Sequence, residues 1–322
     1  MGPEDQEWDM TGATAAESTT EDDVVARLAG RVAVRDDVVP GRHGDIPVRR
    51  YCPAGSEFGG AGHALVWAHG GAFCRGGLDQ FESHAVAAAL AAHGIDVVAL
   101  DYRLVPAWDG PDAGGDGGVR YPVPVDDVVD AYRHVRAELG RATALGGASA
   151  GACLAAAATW SMSRGSGPGP SALALVYPTL HAQLPPLGDE LAAALLGPWA
   201  EGQFTPARVH AMNRNYAGRD DALDEAYAFP GGHDVTGFPP TLVLDAEHDS
   251  LRASGAAFVG ELRAAGVATA YRVQAGASHG FMNHPAETAF GAGADWIGGW
   301  LADRSAGGGG PGAGARADDR QL

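Results

Sequence analysis

From residue 64 onward the chain is punctuated by short apolar runs: ALVWA (64–68), DVVAL (96–100), TALGG (143–147), LALVY (173–177) and TLVL (241–244). Each stops at a Gly, Asp, Pro or His. Their apolarity is continuous rather than alternating, the pattern of strands covered on both faces in a parallel sheet. TAYRV (269–273) is the last strand candidate. Helical spacing falls between the runs. Val125, Val128, Val129, Tyr132 and Val135 mark one face of a helix, and Phe290, Ala294, Ile297 and Leu301 mark another. Strands alternating with helices predict a doubly wound α/β sheet, mostly parallel with helices on both faces, whose chemistry lies outside the carboxyl ends of the strands.

The rhythm breaks between residues 181 and 238, a stretch far longer than the usual ~2–6 residues between such elements. It carries two helix-like pieces, DELAAALLGPWA and TPARVHAMNRNYA. Because it follows a strand at the end where a site belongs, it is expected to be a lid rather than a surface ornament. Residues 1–21 are polar and acidic and are expected to be disordered. The Gly-rich stretches at 109–118 and 304–322 read as a loop and a flexible tail. The catalytic domain is thus expected over 22–303.

A chain of 322 residues suits one large domain, with or without an added lid. Its net charge of −18, from 22 basic and 40 acidic residues, argues against nucleic-acid or anionic-membrane partners. No apolar run approaches the ~18–20 residues of a membrane span, and the N-terminal stretch lacks the apolar segment of a secretory signal. Cys52, Cys74 and Cys153 are too few and too scattered for a disulfide framework or a zinc cluster, so a cytoplasmic location is expected. All 22 basic residues are arginine. Without lysine there is no Schiff-base nucleophile, P-loop lysine or Ser-Lys dyad.

The remaining chemistry centres on GASAG (147–151). In a chain with 48 glycines this motif alone is weak. Its setting strengthens it: TALGG is a strand and ACLAAAATWSM is a helix former, so Ser149 falls on a strand-to-helix turn. Gly147, Ala148, Ala150 and Gly151 are small enough for the close approach such a turn requires. A serine nucleophile needs a base and an orienting carboxylate, in this fold class in the chain order Ser, Asp or Glu, His. Asp249 and His279 lie in loops just after strands and are the expected partners. Asp245 and Glu247 compete for the first role, His248 and His284 for the second. An oxyanion hole is expected from the Ala150 amide together with the loop after the first of these strands, WAHGGAFCRGG.

Taken together, these residues resemble the hormone-sensitive-lipase-type esterases of the α/β-hydrolase fold. HGGAF (69–73) is similar to that family's His-Gly-Gly-Gly motif, and DYRLVP (101–106) to its D-Y-R-L-A-P segment. GASAG matches its elbow, AEHDSLR (246–252) resembles its A-E-x-D-P-L-R, and SHGF (278–281) resembles its catalytic His-Gly-Phe. The resemblance implies a helical cap built from about 22–45 and the insert 181–238. It implies hydrolysis of short-to-medium-chain or small-molecule carboxylic esters by Ser149, Asp249 and His279, with Gly71, Ala72 and Ala150 as oxyanion donors and no metal or cofactor. It leaves assembly into a homodimer open. Asp101, Tyr102 and Arg103 would be scaffold. The chain departs from the family at Ala72, Ala148 and Ser250, which stand where a glycine, an acidic residue and a proline are usual. Rival readings are acyl transfer, thioester or lactone hydrolysis on the same triad, or a silent ligand-binding module. The presence of His279 weighs against the last.

Overall fold

The computed structural model describes residues 20–60, 62–108, 118–165 and 167–306. The elements run α1 (Glu21–Ala29), β1 (Val32–Val39), β2 (Ile46–Pro53), β3 (His63–Ala68), α2 (Phe81–Ala92), β4 (Ile95–Leu100), α3 (Val123–Leu139), β5 (Thr143–Ala148), α4 (Ala150–Ser163), β6 (Leu173–Val176), α5 (Asp189–Ala194), α6 (Pro206–Ala217), β7 (Thr241–His248), α7 (Arg252–Ala264), β8 (Thr269–Ser278) and α8 (Thr288–Ala306). Among the described residues the strands form one eight-stranded sheet in the order β1-β2-β4-β3-β5-β6-β7-β8. The run from β4 to β8 is parallel, and β2 joins β4 antiparallel. All five apolar runs, and TAYRV, form strands of the parallel part.

Two apolar layers sandwich this sheet. On one face Val128, Tyr132, Leu154, Tyr216 and Phe258 pack in a core drawn from α3, α4, α6 and α7. On the other, Trp67, Val86, Leu90, Phe290 and Ile297 pack beneath α2 and α8. Burial on both faces is why β3 to β7 are so uniformly apolar. Local chemistry sets the helix ends. Thr205 accepts the Arg208 amide at the start of α6, Pro206 opens its first turn, and Gly218 closes it in the left-handed conformation.

The N-terminal expectation needs correcting. Residues 22–45 were expected in a cap. Instead α1 lies against α2, and β1 is the outer strand of the sheet, in register with β2 from Val32↔Pro53 to Val39↔Ile46. Only the ends of β1 are buried, and Arg35, Asp36 and Asp37 face solvent. Its side chains therefore carry little strand signal; it is held by backbone pairing, by its two buried ends, and by Arg49–Asp36 and Arg50–Asp37 bonds across the pair. Thr20 and Asp23 form a capping box that starts α1 at Glu21, inside the stretch expected to be disordered. Residues 304–306 likewise belong to α8 rather than to the tail. Residues 1–19, 109–117 and 307–322, where flexible segments were expected, lie outside the described residues. No helix among the described residues is long and apolar enough to cross a membrane.

Candidate active site

Ser149 sits between β5 and α4 with φ 50° and ψ −116°. This left-handed conformation costs a non-glycine residue about 1–3 kcal/mol. The turn is held by the Ser149 amide donating to Val176 O (2.9 Å) and by the Cys153 amide donating to Ser149 O (3.2 Å). Helix and strand touch backbone to backbone here: a Cβ on Gly151 would stand 2.2 Å from both Ala68 O and His69 O. The smallness read from the sequence at this position is therefore obligatory.

Asp249 follows β7 and His279 follows β8, so both arrive at the carboxyl end of the sheet beside Ser149. His279 Nε2 lies 3.0 Å from Ser149 Oγ, and His279 Nδ1 lies 2.6 Å from Asp249 Oδ2. The other Asp249 oxygen, Oδ1, accepts the Leu251 amide at 2.9 Å. Asp249 is fully buried and Ser149 is 7% exposed. Since Asp249 as a carboxylate can only accept, Nδ1 carries the proton and Nε2 presents its lone pair to the serine hydroxyl. Desolvation pulls the imidazole pKa down, but the charge and hydrogen bond of Asp249, assisted by Glu82, outweigh it and leave the pKa raised above 6.5.

The structure separates the competing residues. Asp245 is fully buried inside β7 against Gly255 and does not bond His279. Its pKa is pushed well up, first by desolvation and then by the neighbouring charge of Asp249. Glu247 accepts the Gly276 amide. His284 pairs with Glu21 at the surface, and His248 donates to Ala194 O while stacking on Trp199 at 4.1 Å.

The loop after β3 supplies the other wall. Gly71, Ala72 and Phe73 have φ of 117°, 53° and 63° in succession. Ala72 and Phe73 store strain there, and packing over-determines it. The Phe73 ring is buried and stacks on Tyr216 of α6 at 4.1 Å, and Phe73 O accepts the Val105 amide at 3.0 Å. Among the described residues no hydrogen bond engages the amides of Gly71, Ala72 or Ala150, which leaves all three able to donate. Tyr102 stacks on His69 and donates to His69 O (2.9 Å), while Arg103 binds the buried Asp127 carboxylate. Tyr102 braces the loop from behind, and Arg103 ties the segment after β4 to α3 and to Asp45 O.

A cavity of about 220 Å³ opens over the serine, lined by Gly71, Ala72, Ser149, Phe204, His279 and Asn283 among others. Phe204 belongs to the insert and sets its ring edge-on to His279 at 5.0 Å. Ser250 fastens this segment: its amide donates to Gln203 Oε1 (2.9 Å) and its hydroxyl to Phe204 O (3.0 Å). Gln203 Nε2 in turn donates to His248 O (3.0 Å). A proline at 250 could make neither of the two Ser250 bonds. Among the described residues no group of three or more His, Cys, Asp or Glu is placed to hold a metal ion.

Phe204, Tyr177 and Glu82 are neighbours of the triad that the sequence did not single out. Glu82 alone left a trace there, as the single carboxylate of an alanine-rich helix, FESHAVAAALAA.

Comparison with known proteins places the chain among hydrolases. A family model described as alpha/beta hydrolase fold matches residues 65–283. The chain is similar to the carboxylesterase NlhH of Mycobacterium tuberculosis, 33% identical over 248 residues that span 74% of this chain and 72% of the relative. A solved esterase from Pyrobaculum calidifontis superposes with a TM-score of 0.72 at 28% identity, covering 88% of this chain and 89% of the other. Brefeldin A esterase, described as a bacterial homologue of human hormone sensitive lipase, gives 0.71 at 25% identity, with 90% and 88% covered.

Proposed function

The chain belongs to the alpha/beta hydrolase fold family, among its hormone-sensitive-lipase-type members, and from that premise we propose a serine carboxylic-ester hydrolase that works through Ser149, His279 and Asp249. The observation that carries the assignment of residues is the unbroken chain Ser149 Oγ–His279 Nε2 and His279 Nδ1–Asp249 Oδ2, at 3.0 and 2.6 Å.

The chemistry follows from the protonation pattern. Ser149 Oγ attacks the ester carbonyl carbon as His279 Nε2 takes its proton. Asp249 stabilises the imidazolium and fixes its tautomer. Charge developing on the carbonyl oxygen is met by the amides of Gly71, Ala72 and Ala150, the last at the N-terminus of α4, where the helix dipole adds to the donors. His279 returns the proton to the leaving alcohol. Water, activated by the same imidazole, then discharges the acyl-enzyme. The insert 181–238 acts as the cap, with Phe204 as its contribution to the pocket wall. The cavity of about 220 Å³ favours short or small acyl and alcohol groups. Three free cysteines suit residence in a reducing cytoplasm.

A fluorophosphonate probe tests this reading without a guess at the natural ester. It should label the folded protein once, on the tryptic peptide spanning residues 142–164, at Ser149 rather than Ser161 or Ser163, and should not label heat-denatured protein. Ester turnover without labelling at Ser149 would overturn the assignment.

A further inference from the structure

Glu82 is a carboxylate that the triad mechanism does not use. It is 2% exposed, at the second position of α2, and no ion pair joins it to a cation among the described residues. Hydrogen bonds satisfy it instead, every one donated to it. Oε2 accepts the Gly70 amide (2.6 Å) and Gln80 Nε2 (3.2 Å). Oε1 accepts the Tyr177 hydroxyl and Asn283 Nδ2 (3.3 Å). Asn283 closes a ring by taking the Glu82 amide on its own Oδ1 (3.1 Å). All four groups that reach its oxygens are donors, and the start of α2 lies beside it. Tyr177 is held as a phenol, since burial raises its pKa far above the ordinary value, so its proton is there to donate.

These partners belong to different parts of the catalytic apparatus. Gly70 precedes the two loop amides assigned to the oxyanion, and Asn283 sits in the turn after His279. Tyr177 follows β6 and lays its ring against the imidazole at 4.8 Å. The fit at Gly70 is tight: a Cβ there would stand 2.3 Å from Glu82 Oε2. The carboxylate therefore occupies the space a side chain would fill.

We propose that Glu82 is a positioning residue, one that locks the oxyanion loop and the histidine loop to each other and lends a second negative charge to the imidazolium formed during ester cleavage. The proposal rests on the serine-hydrolase reading. The charged and titratable groups around His279 are Asp249 from the loop after β7, Glu82 from α2 and Tyr177 from just after β6, with Arg75 of the oxyanion loop lining the same cavity. Asp249 is the stronger of the two anions, and Glu82 adds to it. The sign is then fixed. Turnover requires neutral His279, so activity falls as pH drops through the imidazole pKa. Removing a nearby negative charge lowers that pKa and carries the acid limb of kcat/KM to lower pH.

The test is Glu82→Gln, nearly isosteric but uncharged, in a preparation whose wild type hydrolyses p-nitrophenyl esters and takes the fluorophosphonate label. Expected is a fall in kcat of about 10–100-fold with KM changed less than about threefold, and an acid limb shifted down by about half a pH unit or more. Tyr177→Phe removes one hydrogen bond but leaves the charge, so it should lower kcat with the limb in place. An unmoved limb in folded Glu82→Gln would overturn the electrostatic role, and an unchanged kcat the positioning role. If Glu82→Gln does not fold, unchanged kcat in both Tyr177→Phe and Asn283→Ala overturns the proposal. Failure of the wild type to hydrolyse or label would instead defeat the serine-hydrolase reading itself.

Discussion

Replacing Ser149 by alanine is expected to lower kcat/KM for p-nitrophenyl acetate by about ten-thousand-fold or more, with the fold intact. The loss is large because no other group can take over the attack: the triad acts as a unit, and the oxyanion donors left behind supply only a residual acceleration over water. The fold should persist because Ser149 Oγ makes one hydrogen bond, to His279. Its backbone bonds to Val176 and from Cys153 do not depend on the side chain. Alanine tolerates φ 50° about as poorly as serine does, so the strain is unchanged. Loss of one hydrogen bond costs about 1 kcal/mol, visible in Tm as a few degrees at most. Near-wild-type turnover by this variant would remove Ser149 from the mechanism.

Asp249→Asn should be almost as damaging, about ten-thousand-fold in kcat/KM, for a reason written in the hydrogen bonds. The Leu251 amide donates to Asp249 Oδ1 and would hold the amide oxygen of an asparagine at that position. The atom facing His279 Nδ1 would then be the NH2 group, a donor. His279 would have to accept at Nδ1 and carry its proton on Nε2, pointing it at a hydroxyl it is meant to deprotonate. Nitrogen-15 NMR of the imidazole checks the tautomer directly. Wild-type-like shifts with normal turnover would show that another carboxylate orients the ring.

How much of this could be read from the chain depends on how local each constraint is. Ser149 was legible because a strand, a turn of small residues and a helix are contiguous. Asp249 and His279 were legible because each closes a strand in a fixed chain order. The choice among Asp245, Glu247 and Asp249 was not closed by sequence, since the three stand at every second position and simple alternation puts them on one face. Strand β1 escaped notice because its middle positions are solvent-facing and charged, and its backbone pairing leaves no pattern in side chains. Glu82 escaped because three of its four partners stand 12, 95 and 201 residues away. Propensity and periodicity do not reach that far.

The Ser250 clamp has a mechanical consequence. Lifting the Phe204 wall away from the site would break the two Ser250 bonds and the Gln203–His248 bond, together about 3 kcal/mol. That alone holds a lifted form below about 1% of molecules. Ser250 is also the residue next to the triad's acid, so force on the wall passes straight into Asp249. The pocket wall and the carboxylate that orients His279 are therefore joined through one residue. In the proposed mechanism the ester therefore enters past a wall already in place, onto a Ser149–His279–Asp249 chain already joined.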